Sequence, residues 1–292
     1  MDDFFIFVNT LIDMEMKKYA VLFLLLLSTT LAFSQNKEKI KGSKTVTVAQ
    51  KEVGSFSAIE VEDNIEVYLD KGEKNEIKIE ADDNLHDIIS LELRDNILRV
   101  YTTKEAVNYK KLIVRITYTN NLNLVTSKNE SIVNAIQEVQ LNDITFKPLD
   151  YSKLYLNVNS KNFILQANDK SKIELNLKSE NATIELSKNA ILKTLVATID
   201  LKCDLYQKSN AAIEGSATNA IIRLDNNSVL VGNKLTVKNA DVTAEGYTSS
   251  SIFAETTLVL EAADKAEIQL FGTPKIEIRS FSDEAKLLKK LK

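Results

Sequence analysis

The sequence predicts an all-β solenoid, a stack of short coils, on three observations. First, from Tyr151 to Ile278 runs such as SKIELNLKS, AIIRLD and TLVLEA follow one another with almost no room for helices. Second, each run alternates apolar and polar residues at period two, which gives it one face to bury and one to show to water. Strands this short bury too little alone, so they must stack. Third, the breaks are filled mainly by Asn, Asp, Ser and Lys, residues that tolerate left-handed backbone or cap turns, in a chain with only 7 Gly and 2 Pro. A two-layer β-sandwich shows similar alternation and stays open as the alternative.

The first forty residues carry a different signal. Met16-Lys17-Lys18 precedes an apolar stretch, Ala20 to Leu27, and small residues around Ala32 and Ser34. That is the pattern of a secretory signal peptide over residues 16–34, cleaved near Ser34. A membrane anchor needs about twenty apolar residues, and this run turns polar at Ser28-Thr29-Thr30. Residues 1–15 place acids where a signal peptide needs positive charge, so they read as an extension ahead of the better start at Met16. No cysteine lies near the cleavage point, which removes lipid attachment through an N-terminal thiol. The expectation is export, to the periplasm, outer surface or extracellular space, with no transmembrane segment left after cleavage.

Residues 35–44 (QNKEKIKGSK) are polar and basic and read as a flexible leader, with order beginning near Thr45 and one solenoid domain over 45–292. Ile59/Val61, Ile65/Val67/Leu69, Ile77/Ile79, Leu91/Leu93 and Leu98/Val100 alternate with polar residues and mark strands. Asp70-Lys71-Gly72 and Arg94-Asp95-Asn96 read as turns, with Gly72 and Asn96 taking positive φ. Lys110 to Thr119 reads as a strand pair. Ser131 to Gln137 reads as a strand or irregular rung rather than a helix, because its apolar run is too short to be helical alone. Apolar centres then fall near Leu154, Ile173, Ile191, Ile213, Leu230, Ile252 and Ile268. A second set lies between them at Ile164, Ile184, Leu205, Ile222, Val242 and Val259. The spacing averages about twenty residues, the length of one coil, with no invariant consensus. Ile173, Leu175, Ile184, Leu186, Ile213, Ile222 and Leu224 should point into one core. The closing DEAKLLKKLK reads as a short amphipathic cap over the last coil, with a basic membrane-surface role as its alternative.

The segment from Phe56 to Tyr101, with FSAIEV, NIEVYL, KG, IKIEADDNL and NILRV, resembles the GIN domain, an auto-transporter adhesin head domain common in exported proteins of Bacteroidetes-type bacteria. The closing AEIQLFGTPKI, from Ala266, resembles that family's last coil. The resemblance spans about Val46 to Lys290. It implies a right-handed parallel β-helix with a more antiparallel N-terminal region, and it brings no catalytic residues with it.

Composition narrows the function further. A formal net charge of -4 and a pI near 5.4 give no general attraction to phosphates, so nucleic acid is not an expected partner. Cys203 is the only cysteine, so no intrachain disulfide can form, and its apolar run makes it a core residue rather than a nucleophile. His86 is the only histidine and follows an acidic turn, where it reads as a surface residue. Asp82, Asp83, Asn84 and Asp87 are oxygen ligands, yet they lack the spacing of a calcium loop and read as a solvated turn. Glu174, Glu185, Asp200 and Asp225 lie on polar phases of separate strands, and no Trp exists to stack a sugar. The expectation is an exported binding or adhesion-type module for a protein or polysaccharide, with no catalytic, cofactor-binding or metal-binding residues and no cofactor. A polysaccharide lyase or hydrolase on the same scaffold is the alternative.

Overall fold

The computed structural model describes residues 37–291, so the expected extension and signal peptide lie outside the described residues. The N-terminal end is built from β1 (Lys39–Lys41), β2 (Val46–Glu52), β3 (Ala58–Val61), β4 (Glu66–Lys71), β5 (Glu76–Asp82), β6 (Ile89–Arg94), β7 (Ile97–Thr102), β8 (Glu105–Val107) and β9 (Leu112–Tyr118). Three of its pairings, β2–β5, β5–β9 and β6–β7, are antiparallel. β3 and β4 stack in parallel on β7 and β9 on one side, and on β10 (Leu124–Ser127) and β11 (Ile132–Pro148) on the other. The coil made by β3 and β4 is therefore inserted between strands that come later in the chain.

From β10 onward every pairing is parallel and the chain winds through about nine turns. The repeating unit is a long bent strand: β12 (Lys153–Ala167), β13 (Lys172–Leu186), β14 (Ile191–Leu205), β15 (Asn210–Leu224), β16 (Val229–Ala244) and β17 (Ser249–Ala262). The last coils use shorter strands, β18 (Glu267–Phe271), β19 (Lys275–Phe281) and β20 (Lys286–Lys289). Among the described residues the only helix is a 3-10 turn, Asp83–Ile88. The parallel stacking removes the sandwich alternative.

Register explains why a fifteen-residue strand can serve as a whole coil. In β12, Leu154, Leu156, Val158 and Ser160 face inward, and after a corner at Lys161-Asn162 the inward phase resumes at Phe163, Leu165 and Ala167. Each coil thus has two arms and one corner, and a four-residue turn leads to the next. Leu154 pairs with Ile173, Ile173 with Leu192 and Leu192 with Ala211, a step of nineteen residues. The seven residues expected in one core are all 5% exposed or less. On the second arm an apolar ladder runs the length of the stack: Leu98, Ile59, Val125, Phe146, Leu165, Ile184, Cys203, Ile222, Val242, Leu260, Ile278. Cys203 takes its place there as a small core residue, and burial together with Asp204 pushes its thiol up to about 12.

Most of the turns between coils do without glycine in the way their composition foreshadows, the exception being Gly246 between β16 and β17. Asp150, Asp169, Lys188, Lys208, Asn227, Asp264 and Asp283 all hold positive φ, and an i to i+3 hydrogen bond such as Ser171 N to Asn168 O closes each turn. The residue that re-enters the core is small: Ser152, Ser171, Ala190, Ser209, Ser228 and Ala266 are all fully buried. At the opposite corner, carboxamides and carboxylates stack into a second ladder. Asn162 Nδ2 donates to Asp143 Oδ1 at 2.7 Å, Asn181 to Asn162 at 2.9 Å, Asn219 to Asp200 at 2.8 Å and Asn239 to Asn219 at 3.0 Å. The corner column varies between Asn and Asp, so it is a recurring polar position without an invariant residue.

Several local expectations need correction. Regular structure is already present at Lys39–Lys41 inside the expected leader, where β1 pairs with β8. Lys110 to Thr119 holds one strand, β9, rather than a pair, since its neighbours β4 and β5 occupy both of its edges. Gly72 does not hold positive φ; it is needed because a Cβ there would lie 2.4 Å from Thr117 Cγ2. Asp95 and Asn96 do hold positive φ in the β6–β7 hairpin. The C-terminal segment is strand β20 rather than a helical cap, drawn into extended form by Lys286 N bonding to Ala266 O and Lys290 N to Leu270 O.

Asp82 is the largest correction, for it is fully buried rather than in a solvated turn. Its carboxylate accepts hydrogen bonds from the backbone N–H groups of Lys44, Lys110 and Lys111 at 2.8 to 3.2 Å and so clasps the β1–β2 link to β5 and to the entry of β9. Burial alone would push its pKa up, but the donors from Lys111, Lys44 and Lys110 outweigh it and hold it below the ordinary value. The pKa is lower in the folded chain, so this stabilisation is present above the unfolded value near 3.9 and is lost as pH falls through the folded one. Asp82→Ala leaves those N–H groups unpaired and should cost about 3 kcal/mol at neutral pH. Thermal melts across pH check it: the gap between wild type and variant should close below about pH 4. A gap independent of pH would refute the clasp.

Candidate functional site

An apolar groove crosses the first arm of five successive coils, from β11 to β15, with a volume near 720 Å³. Five stacked strands span about 19 Å along the axis. Two irregularities bound it. Between Ala135 and Val139 the β11–β12 register slips and Ile136 stands out 69% exposed, and at the far end the β15–β16 register slips between Ala212 and Glu214. Leu156, Leu175 and Thr194 underlie the groove and are more than nine-tenths buried. Its walls come from two outward columns: Tyr155, Glu174, Lys193 and Ala212 are paired in register, as are Asn157, Asn176, Leu195 and Glu214. Asn176 Nδ2 donates to Asn157 Oδ1 at 3.2 Å. Tyr155 is 39% exposed and Leu195 53%, so an aromatic ring and an aliphatic chain are both presented to an incoming partner.

The four carboxylates weighed in the sequence fall on four separate tracks. Glu174 lies in the groove, Glu185 on the second arm, Asp200 in the corner ladder and Asp225 in a turn. Only Glu214 joins Glu174 in the groove, two coils away and one column over, which places the two about 12 Å apart from strand spacing and rise. A glycosidase pair needs roughly 5 to 9.5 Å, and Glu214 is engaged by Lys234 at 2.9 Å. His86 sits half-buried in the 3-10 turn with Nε2 2.9 Å from Thr47 Oγ1, away from the groove. Asn84 accepts from Ser43 N at 2.9 Å and donates to Lys41 O at 2.8 Å, while Asp83 and Asp87 are exposed. Among the described residues no group of three or more His, Cys, Asp or Glu side chains is placed to hold a metal ion.

One cluster of charged residues at the N-terminal end is occupied internally. Arg115 lies 4.5 Å over the Tyr68 ring and bonds Glu80 at 3.3 Å, and Lys111 bonds Glu80 at 3.0 Å, which with Arg115 holds the Glu80 carboxyl below its usual range. Neighbouring strands carry these residues, so the cluster reads as cross-strand pairing. The groove itself was missed by sequence reading. Its residues recur nineteen apart, and the bulges that bound it leave no mark in the alternation pattern.

Stacked parallel coils with an antiparallel N-terminal end define a β-solenoid. The chain belongs to the family described as "Putative auto-transporter adhesin, head GIN domain", whose model matches residues 55–194 and again 175–274. Among solved structures it is similar to a "putative adhesin" from Parabacteroides merdae, at 15% identity and TM-score 0.63, covering 87% of this chain and 99% of that one. A "putative adhesin" from Parabacteroides distasonis is similar at 14% identity and TM-score 0.63, covering 87% and 100%. A "Putative lipid binding protein" from the same species follows at 12% identity and TM-score 0.57, with coverage of 87% and 100%. At these identities the likeness is one of fold. No curated protein matches the chain.

Proposed function

We propose that the chain is an exported, non-catalytic adhesion module that holds an extended protein segment along the first-arm groove. The observation that carries this reading is the groove, apolar at Ile136 and Leu195, aromatic at Tyr155 and rimmed by Asn157, Asn176 and Lys193. A half-exposed aromatic beside aliphatic side chains with a polar border is the make-up of a protein-binding hot spot. Family membership supports an adhesion role, the pattern of residues 16–34 supports export, and the separation of Glu174 from Glu214 supports binding without turnover. A linear polysaccharide is the second reading, favoured by the Tyr155 ring next to the Asn157 and Asn176 amides, since sugars pair an apolar face with hydrogen-bonding edges.

The test uses protein recovered after export, its mature N-terminus read by sequencing and expected near Ser34. Envelope and host-surface proteins are captured on wild type and on Tyr155→Ala and Leu195→Glu variants, with a glycan array in parallel. Each substitution should weaken capture by about thirtyfold and leave the melting temperature unchanged. Undiminished capture by both variants would remove the groove from function, and glycan binding lost in Tyr155→Ala would move the reading to the polysaccharide. Release of reducing ends from any glycan would make the module an enzyme.

A further inference from the structure

We infer that the turn edge of the stack is a binding site of its own, a track for a linear acidic polysaccharide laid along the solenoid axis. It lies apart from the first-arm groove and does not rest on the reading of that groove. The first observation is a charge placed against the grain of the fold. Lys153 and Lys172 open β12 and β13 and are paired in register. Like charges directly opposite on neighbouring strands repel and cost stability. The facing charges Glu174 and Lys193, one rung along, are opposite in sign. Lys170, in the turn before β13, and Lys208, in the turn before β15, stand on the same edge. Among the described residues none of these four ammonium groups is paired with a carboxylate. The turn acids beside them are engaged elsewhere, Asp169 with Lys188 at 2.7 Å and Asp150 with the Asn129 N–H at 3.0 Å. A chain of net charge -4 thus carries an edge of unneutralised cations. A local charge rule broken with no gain in stability marks a place where function sets the residues.

The second observation is geometric. Ser152 and Ser171 re-enter the core fully buried, so the residues on either side of them, Tyr151 with Lys153 and Lys170 with Lys172, all stand outward and exposed. Backbone bonds from Lys170 N to Asp150 O and from Asn189 N to Asp169 O rest each turn on the one before. Corresponding positions therefore line up along the axis, from Tyr151 through Lys170 and Lys208 to Tyr247 and Lys265, over about 29 Å of stacked strands. Tyr151 and Tyr247 are 55 and 64% exposed, and each has a lysine of the next coil over its ring. Lys170 Nζ lies 4.9 Å from the Tyr151 ring centre and donates to its hydroxyl at 3.0 Å, and Lys265 Nζ lies 5.2 Å from the Tyr247 ring centre. That combination selects the ligand. Ammonium groups call for carboxylates or sulfate esters, exposed phenol rings for the apolar face of a sugar, and the Asn189 and Asn227 amides between them for hydroxyls. The track is two side chains wide, which suits a single extended chain rather than a bilayer surface.

Titration calorimetry of the exported protein tests this, with polygalacturonate and dextran sulfate as probes and neutral dextran and poly-glutamate as comparisons. Wild type should bind at least one of the two acidic polysaccharides, more weakly as salt rises, and neither comparison polymer. Lys172→Glu should weaken binding by about tenfold or more, and the pair Lys170→Gln/Lys208→Gln by a similar factor. Lys172→Gln should bind more weakly yet melt no lower than wild type, which separates a binding lysine from a structural one. Leu195→Ala, in the groove, should bind both probes as wild type does, so loss of groove function leaves the track testable. The track is overturned if neither acidic polysaccharide binds, if binding is indifferent to the lysine changes, or if Leu195→Ala alone abolishes it. Poly-glutamate bound as tightly through the same lysines would make the edge a site for acidic peptide instead, and Lys172→Gln melting below wild type would make that lysine structural.

Discussion

Ile222→Asp should leave the protein largely unfolded at neutral pH. Ile222 is 2% exposed and sits in the second-arm ladder between Cys203 and Val242, with hydrocarbon or thiol on both adjacent rungs. Such burial disfavours charge, and it likewise pushes the neighbouring Cys203 thiol up. A carboxylate there would have no partner, and burying it, or protonating it to avoid doing so, costs several kcal/mol, comparable with the roughly 5–15 kcal/mol that holds a typical domain together. The sign of the pH dependence follows. The new group has a folded pKa above its unfolded value, so its penalty relative to wild type grows as pH rises above about 4 and is smallest in acid. Denaturant titrations at acid and neutral pH measure both effects. An unchanged midpoint would mean that the inward phase of β15 is misassigned.

Gly215→Ala should be nearly as damaging, through backbone rather than burial. Gly215 holds φ at +112°, outside the region that L-residues adopt, and a Cβ there would lie 2.0 Å from the Val196 carbonyl oxygen of the preceding coil. No side chain can give way, because the obstacle is main chain, so the coils would have to separate at the closed end of the groove. The expected loss is about 3 kcal/mol or more. Gly246→Ala is the control. Gly246 holds φ at +70°, where the nearest atom would be 3.3 Å away, and a cost near 1 kcal/mol is expected. Equal stabilities of the two variants, read by chemical denaturation, would refute the close approach of the coils at Gly215.

Period-two alternation was sufficient to find the strands, because inward and outward residues differ in polarity wherever an arm is straight. It was insufficient where apolar residues are consecutive. Ile164, Ile191 and Val259 mark the centres of apolar runs, yet Ile164 and Ile191 are 37 and 39% exposed, and the buried positions are their neighbours Phe163, Leu165, Leu192, Leu258 and Leu260. Which member of such a run turns inward is decided by the adjacent coil, and that is invisible without register. The nineteen-residue step was blurred to twenty by the two extra residues in β11 and the single one in β16. The corner ladder of Asn162, Asn181, Asp200, Asn219 and Asn239 was present in the letters, but in a chain rich in Asn one polar column does not stand out from the rest. The KIK of β1 and the KLLK of β20 are too short to carry a period, and what makes them strands is an edge that only the folded stack supplies. The groove was the least legible part, since it depends on which residues of five coils become neighbours.

The nineteen-residue step sets a rule for how such a protein can change length. Each internal coil pairs its backbone only with the coil before and the coil after it, through the same ladders, so gain or loss of one whole repeat brings equivalent surfaces together again and shifts the far end by about 4.8 Å. Gain or loss of a single residue has no such escape. It must be absorbed as a local bulge, as in β11 and β16, or it turns every later side chain on that arm inside out. The reach of the molecule is therefore quantised, while its width is fixed by the two arms of one coil.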